Sequence, residues 1–167
     1  MQQPIRRKSA ITIYKANLND VEDLVILWSE LMQESSLIDK HYSTTPIAAD
    51  RLRSEFINTL RDPSVLHLIA KNESGKALGF TTAYISKPSA CFVQIPIGML
   101  ENMYVSPEIR RQGVGSRMAR TVLNWFSKLK INRVLLNVLA GNEVGYQFWT
   151  SLGFIPNKHI LSFSFPE

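Results

Sequence analysis

The chain has a single cysteine, Cys91, among its 167 residues, which excludes an internal disulfide. Its three histidines, His41, His67 and His159, are scattered, and with one cysteine they give no metal-ligand spacing, so no metal is expected. No apolar run approaches the roughly 20 residues of a membrane-spanning helix. The opening residues, MQQPIRRKSA, are basic but are not followed by the apolar stretch of a signal peptide. Internal repeats, low-complexity tracts and linkers are also lacking. These absences lead to the expectation of a soluble, cytoplasmic protein: a flexible segment over residues 1–10 and a single domain over 11–167.

What is present is an ordinary globular balance, with 45% hydrophobic and 20% charged residues. The charge is uneven. Between Ser106 and Arg133 lie seven basic residues and one acid, Glu108, so this window carries +6 of a net +5 and leaves the remainder at −1. A solvated helix face explains such a window as readily as a site for a compact polyanion does. Nucleic-acid binding is not expected, because the basic residues are not interleaved with aromatics.

Periodicity orders the elements. Residues 11–16 alternate as a strand. Asn19, three residues before Glu22, has the spacing of a capping box for a first helix reaching Glu34. Pro46 suits the first turn of a second helix ending near Leu60. Residues 65–72 and 76–86 read as a hairpin around Glu73-Ser74-Gly75. A strand over 95–105, a helix over 116–130, a strand over 133–140 and a helix over 142–151 follow. Gly153 is placed as the residue just past that helix, and the tail, FIPNKHILSFSF, is expected to make a final strand after Pro156. The order β-α-α-β-β-β-α-β-α-β makes a mixed α/β domain.

Arg110-Arg111-Gln112-Gly113-Val114-Gly115-Ser116 joins a strand to a helix. Glycine costs about 1 kcal/mol relative to alanine inside a helix, so two of them at a helix start call for a reason. The first turn of a helix leaves N–H groups unpaired and carries partial positive charge. Glycines there remove obstructing Cβ atoms and allow positive φ, so the turn can wrap an anion, with Arg110, Arg111 and Arg117 adding field. A tight turn without a ligand is the alternative. A nucleotide-binding loop would end Gly-Lys-Ser/Thr, whereas this one ends Gly-Ser-Arg. A dinucleotide fingerprint needs a third small residue where Met118 stands.

Arg110-x-x-Gly113-x-Gly115, preceded by LENMYVSPEI and followed at a distance by NEVGYQFWTSLGF, resembles the GCN5-related N-acetyltransferases (the GNAT family). The resemblance covers nearly the whole chain from residue 11. It implies a mixed, mostly antiparallel central sheet flanked by helices and splayed between its two parallel central strands. It implies acetyl-CoA as co-substrate, its pantetheine arm along Met103, Tyr104 and Val105, its pyrophosphate against Arg110 to Ser116, and Asn142 facing the arm. The implied activity is direct transfer of acetyl to a primary amine in a ternary complex. A non-catalytic acyl-CoA-binding sensor or partner module on the same fold is the alternative.

An amine must lose a proton to attack, and Glu101 is the candidate base. Strict alternation would set it on one strand face with Met99 and Met103, where apolar neighbours raise a carboxyl pKa. The opposing reading is a glutamate at a strand kink facing water. The resemblance offers the N–H of Val105 as oxyanion donor. It breaks at the general acid: relatives carry Phe-Tyr where this chain has Phe148-Trp149, and an indole is no useful proton source. Tyr146 is the substitute candidate, with packing as its alternative role. Cys91 has no argued base beside it and is not expected to act as a nucleophile. Trp28, Glu34, Tyr42 and Phe92 are the candidate acceptor-side residues, on a half of the chain acidic enough to suit a small-molecule or peptide amine. Homodimer formation is left open.

Overall fold

Five strands and four helices are arranged in the computed structural model, which describes residues 10–87, 91, 95–163 and 165. Most of the segment expected to precede the domain, and Phe92, lie outside the described residues. The elements are β1 (Thr12–Lys15), α1 (Val21–Ser36), α2 (Ala48–Thr59), β2 (Val65–Lys71), β3 (Ala77–Ser86), β4 (Ile97–Val105), α3 (Val114–Lys128), β5 (Val134–Leu136) and α4 (Glu143–Ser151). The sheet runs β1-β2-β3-β4-β5 in spatial order. Its first three pairings are antiparallel, and β4 and β5 are parallel.

Two cores form, one on each face. Leu24, Leu27, Leu52, Phe56, Ile69, Phe80 and Tyr104 are buried together between α1, α2 and the sheet. Leu68, Leu100, Met118, Val122, Phe126 and Trp149 are buried together between the sheet, α3 and α4. The spacing Val114, Met118, Ala119, Val122, Phe126 explains α3: one stripe at helical period is buried while the arginines lie outside it. Each large side chain so buried contributes about 1.5–3 kcal/mol. No helix among the described residues is long and apolar enough to cross a membrane.

Four expectations are corrected. The capping box belongs to Asn17 and Asp20, not Asn19 and Glu22, and it caps a short 3-10 turn that leads into α1. Asp20 is held there because its buried carboxylate also meets Lys71 Nζ at 2.8 Å and accepts from the Tyr14 hydroxyl. Pro46 lies two residues before Ala48, the first residue of α2, rather than opening the helix. The strand expected over 133–140 pairs only over Val134–Leu136. The described part of the tail beyond Phe154 forms no strand. Gly153 does take the positive φ of a helix-ending residue, +94°.

A buried histidine ties α2 to the sheet beside the future site. His67 is 2% exposed, with Nε2 2.9 Å from the Thr59 hydroxyl and Nδ1 3.0 Å from the Thr82 hydroxyl. The Thr59 hydroxyl donates to the Glu55 carbonyl, so Nε2 carries the ring proton and Nδ1 accepts from Thr82. Burial, and secondarily the charge of Lys15, pushes the ring pKa down to about 4. The unfolded chain, with an ordinary histidine, binds more protons between pH 6.5 and 4. Stability contributed by this group is therefore complete above pH 6.5 and is lost as pH falls toward 4, by about 3 kcal/mol in all. Urea unfolding across that window should show this slope. His67→Gln should flatten it, and an unchanged slope in the variant would remove His67 as its source.

Candidate active site

The parallel strands part company early. β5 follows β4 only through Gly98, Met99 and Leu100, and the remaining residues 101–105 of β4 continue with β3 on one side and, among the described residues, no strand on the other. A strand edge with free backbone groups is thereby opened in the middle of the sheet.

Where the opening begins, β4 carries a bulge. Thr82 pairs with Asn102 and Ala83 with Leu100, leaving Glu101 as the extra residue. The bulge reverses the faces. Leu100 packs in the α3–α4 core, whereas Tyr104, an even number of residues later, packs in the α1–α2 core. Met103 and Val105 pack toward the α3–α4 side. The expectation that Met99, Glu101 and Met103 share a face by strict alternation is therefore wrong, because one inserted residue shifts the phase.

Glu101 is solvent-accessible at the mouth of the opening. Partial burial of its carboxyl, and then the charge of Glu55 on α2, raises its pKa above the ordinary carboxylate value. Glu101 in turn helps raise the pKa of Tyr84, whose main perturbation is burial. Glu101, Glu55 and Tyr84 thus form one electrostatic neighbourhood on the α2 side of the sheet.

At the far end of β4 the chain makes a short 3-10 turn, Pro107–Ile109, and then the glycine loop. Arg111 has φ +61° and Gly113 φ +78°, both left-handed. Only glycine adopts that conformation without strain. A Cβ on Gly113 would meet nothing within 4 Å, so the space before it is open. The helix α3 starts at the next residue, and no side chain caps it. Its first N–H groups face that opening with the positive end of the helix dipole behind them. A Cβ on Gly115 would sit 3.4 Å from the Phe148 ring and 3.7 Å from Val105, so the loop, the end of β4 and α4 meet there. Glu108, the one acid of the basic window, is paired with Lys76 at 2.6 Å.

The arginines are placed differently from expectation. Arg110 donates from Nε to the Val105 carbonyl at 2.7 Å and from Nη2 to both oxygens of Glu34, at 2.6 and 2.7 Å. Its guanidinium lies 5.6 Å from the Tyr104 ring centre. Arg117 reaches the Ile11 carbonyl at 2.6 Å, and Gln112 turns back to the Glu108 carbonyl. Glu34, expected on the acceptor side, is thus engaged by Arg110. Burial, then Glu34 and Glu30, pushes the Tyr104 hydroxyl pKa well above its usual value.

On α4, Asn142 accepts from the Gly145 N–H at 2.8 Å and caps the helix. Trp149 is 9% exposed in the core, with ring centres 4.8 Å from Phe148 and 5.4 Å from Phe154. Tyr146 is 45% exposed. Trp28 is half-buried against the α1–α2 core, and Tyr42 is exposed in a 3-10 turn. Ser116 is half-buried in the first turn of α3. Among the described residues no group of three or more His, Cys, Asp or Glu is placed to hold a metal. Glu30, on the acidic first helix, and Tyr84, at the start of the loop-side segment 84–94, were expected on the acceptor side. Sequence reasoning missed Glu55, whose charge acts on Glu101 from α2, and no local pattern signals that proximity.

The fold of this chain is shared with proteins of known structure. The fold matches an aminoglycoside N-acetyltransferase AAC(6')-Iy solved in complex with CoA, at TM-score 0.77 and 19% identity, covering 96% of this chain and 98% of that one. It also matches a predicted acetyltransferase with acetyl-CoA from Clostridium acetobutylicum, at TM-score 0.72 and 20% identity, over 93% and 96% of the two chains. In sequence, 69 residues are 29% identical to an aminoglycoside N(6')-acetyltransferase type 1 of Acinetobacter haemolyticus, or 41% of this chain and 48% of that protein. A match of 110 residues at 23% identity to the protein of the same name from Acinetobacter genomosp. 13 covers 65% and 75%. This chain therefore spans about half of the first relative's length. Residues 27–154 match the acetyltransferase (GNAT) family, and the chain belongs to that family.

Proposed function

We propose that this chain is an N-acetyltransferase that moves the acetyl group of acetyl-CoA to a primary amine by direct attack in a ternary complex. The observation that carries the reading is the run of open strand edge, residues 101–105, leading into the uncapped start of α3 behind Gly113. An extended amide-bearing arm ending in a pyrophosphate suits that run: amides pair with strand backbone, and phosphates suit N–H groups at a helix start.

Met103, Tyr104 and Val105 would hold the arm through their backbone, and the N–H groups of residues 111–116 would hold the pyrophosphate. Arg111 adds field. Arg110 acts indirectly, by fixing the Val105 carbonyl and the end of α1. The Asn142 carbonyl oxygen caps α4, so its amide N–H groups are what it can offer the arm. The thioester supplies an acetyl group already activated toward nucleophiles. Glu101, with its raised pKa, accepts the amine proton directly or through water. The Val105 N–H is the proposed oxyanion donor.

Trp149 donates no proton in this reading. Tyr146 is the side-chain candidate to protonate the departing thiolate, with solvent as its substitute, since its exposure on α4 gives water the same access. Glu30, Glu55 and Glu101 give the acceptor side negative character suited to a cation. The similarity to proteins named for aminoglycosides supports an acceptor carrying several amines. Trp28 and Tyr42 are kept as apolar flanks, while Glu34 is reassigned to the Arg110 pair.

The buried Trp149 in place of a tyrosine favours a second reading, an acyl-CoA sensor without turnover. Thiol release from acetyl-CoA over a panel of polyamines, aminoglycosides, amino acids and peptides separates the two. Amine-dependent release supports the enzyme. Binding of acetyl-CoA with no release across the panel supports the sensor.

A further inference from the structure

Among the described residues the buried polar or charged side chains are Asp20, His67, Thr81 and Thr82. Asp20 belongs to the entry of α1. The other three gather at the β4 bulge, and the proposed reaction uses none of them. β3 is otherwise apolar through this stretch, with Leu78, Phe80 and Ala83 buried around the two threonines. A buried hydroxyl serves a core less well than a methyl group unless its hydrogen bond is needed, so two in succession call for a reason.

Packing alone leaves the bulge undecided. Leu100 and Met103 both lie on the α3–α4 side, an odd number of residues apart. One extra residue must therefore fall between them, and it can be Glu101 or Asn102. The two hydroxyls make the choice from opposite faces of the sheet. On the α3–α4 side Thr81, which pairs with Met103, donates to the Asn102 carbonyl at 2.7 Å. On the α1–α2 side Thr82 pairs with Asn102 and donates to His67 Nδ1 at 3.0 Å. His67 Nε2 donates to the Thr59 hydroxyl at 2.9 Å, one turn after Glu55 on α2. The Phe56 ring meets the His67 ring edge-on, with centres 5.2 Å apart. These bonds hold Asn102 in the ladder and leave Glu101 outside it.

We propose that Thr81 and Thr82 are positioning residues, whose hydroxyls put the bulge at Glu101 rather than at Asn102 and so set a carboxylate, not an amide, at the mouth of the opening. The functional meaning of this placement rests on the reading of Glu101 as the base. The same bonds explain why a neutral, buried His67 is present: it fixes Thr82 from β2 and carries α2, with Glu55, to the same spot.

Thr81→Val removes the hydroxyl at nearly constant volume, and Thr81→Ser keeps it. Carboxyl carbon NMR of the protein without ligands reads Glu101 directly; the titratable groups acting on it and on its neighbour are Glu55 from α2 and Tyr84 from β3. In Thr81→Val the Glu101 midpoint should move by about half a pH unit or more as its surroundings change, and Thr81→Ser should restore it. In turnover, Thr81→Val should lower kcat about tenfold or more while acetyl-CoA affinity stays within about threefold, and it should add nothing to Glu101→Gln, as expected for residues acting as one unit. If Thr81→Val fails to fold, Thr82→Val with Thr82→Ser as control carries the same test. A Glu101 titration unchanged from wild type, or a loss that serine does not restore, would overturn the proposal. The NMR reading needs neither acetyl-CoA nor amine. A moved midpoint with serine rescue therefore supports the placement even where an unaffected Glu101→Gln rate shows that another group is the base.

Discussion

Gly113→Val is expected to remove acetyl-CoA binding by at least a hundredfold while leaving the protein folded. Two effects act together. The backbone at Gly113 has φ +78°, and a β-branched residue there is strained by about 1–2 kcal/mol or more. The space that a Cβ would enter is empty of protein, within 4 Å, and is the space assigned to the pyrophosphate. The second effect is the one that matters for function, and Gly75→Val isolates it. Gly75 has φ +83° and equally open surroundings, but sits in the β2–β3 hairpin. Both variants should lose similar stability, and only Gly113→Val should lose binding. Calorimetric affinity together with thermal melts reads both quantities. Unchanged affinity in folded Gly113→Val would end the assignment of the loop as a phosphate cradle.

Glu101→Gln is expected to lower kcat/KM by about a hundredfold at neutral pH, the lower end of what a positioned base contributes. The sign with pH follows from two protonations. The wild-type rate should fall as pH drops through the raised pKa of Glu101, because the base becomes protonated. Above the acceptor's own pKa the amine is already neutral, and the variant should approach the wild-type rate. The ratio of the two rates is therefore largest between the raised pKa of Glu101 and the amine pKa, and shrinks both below and above that window. A pH–rate profile of the variant that parallels the wild type would remove Glu101 as base.

The glycine loop and the elements around it were legible in the sequence because their signals are local. Apolar period, turn residues and the pairing of glycine with a helix start all lie within a few residues of the structure they cause. The bulge at Glu101 was not legible. It is a one-residue slip between β3 and β4, decided by packing on both faces, and it reverses which face Tyr104 and Met103 occupy. The partner of Arg110 was likewise hidden, since Glu34 is 76 residues away and any of several anions would satisfy the same guanidinium. The short reach of β5 has the same character: residues 133–140 are apolar enough for a strand, but pairing stops where β4 diverges. The tail after Pro156 was expected as a final strand, and its described residues form none.

Titration of acetyl-CoA into the purified protein by calorimetry, with dephospho-CoA and pantetheine as shortened ligands, tests the central claim most directly. Saturable binding of acetyl-CoA that survives loss of the 3′-phosphate in part and collapses when the pyrophosphate is removed is the predicted result. It would mean that the strand edge and the start of α3 act together as one site. Absence of binding, or equal affinity for pantetheine and acetyl-CoA, would contradict the account, because the helix start behind Gly113 would then contribute nothing.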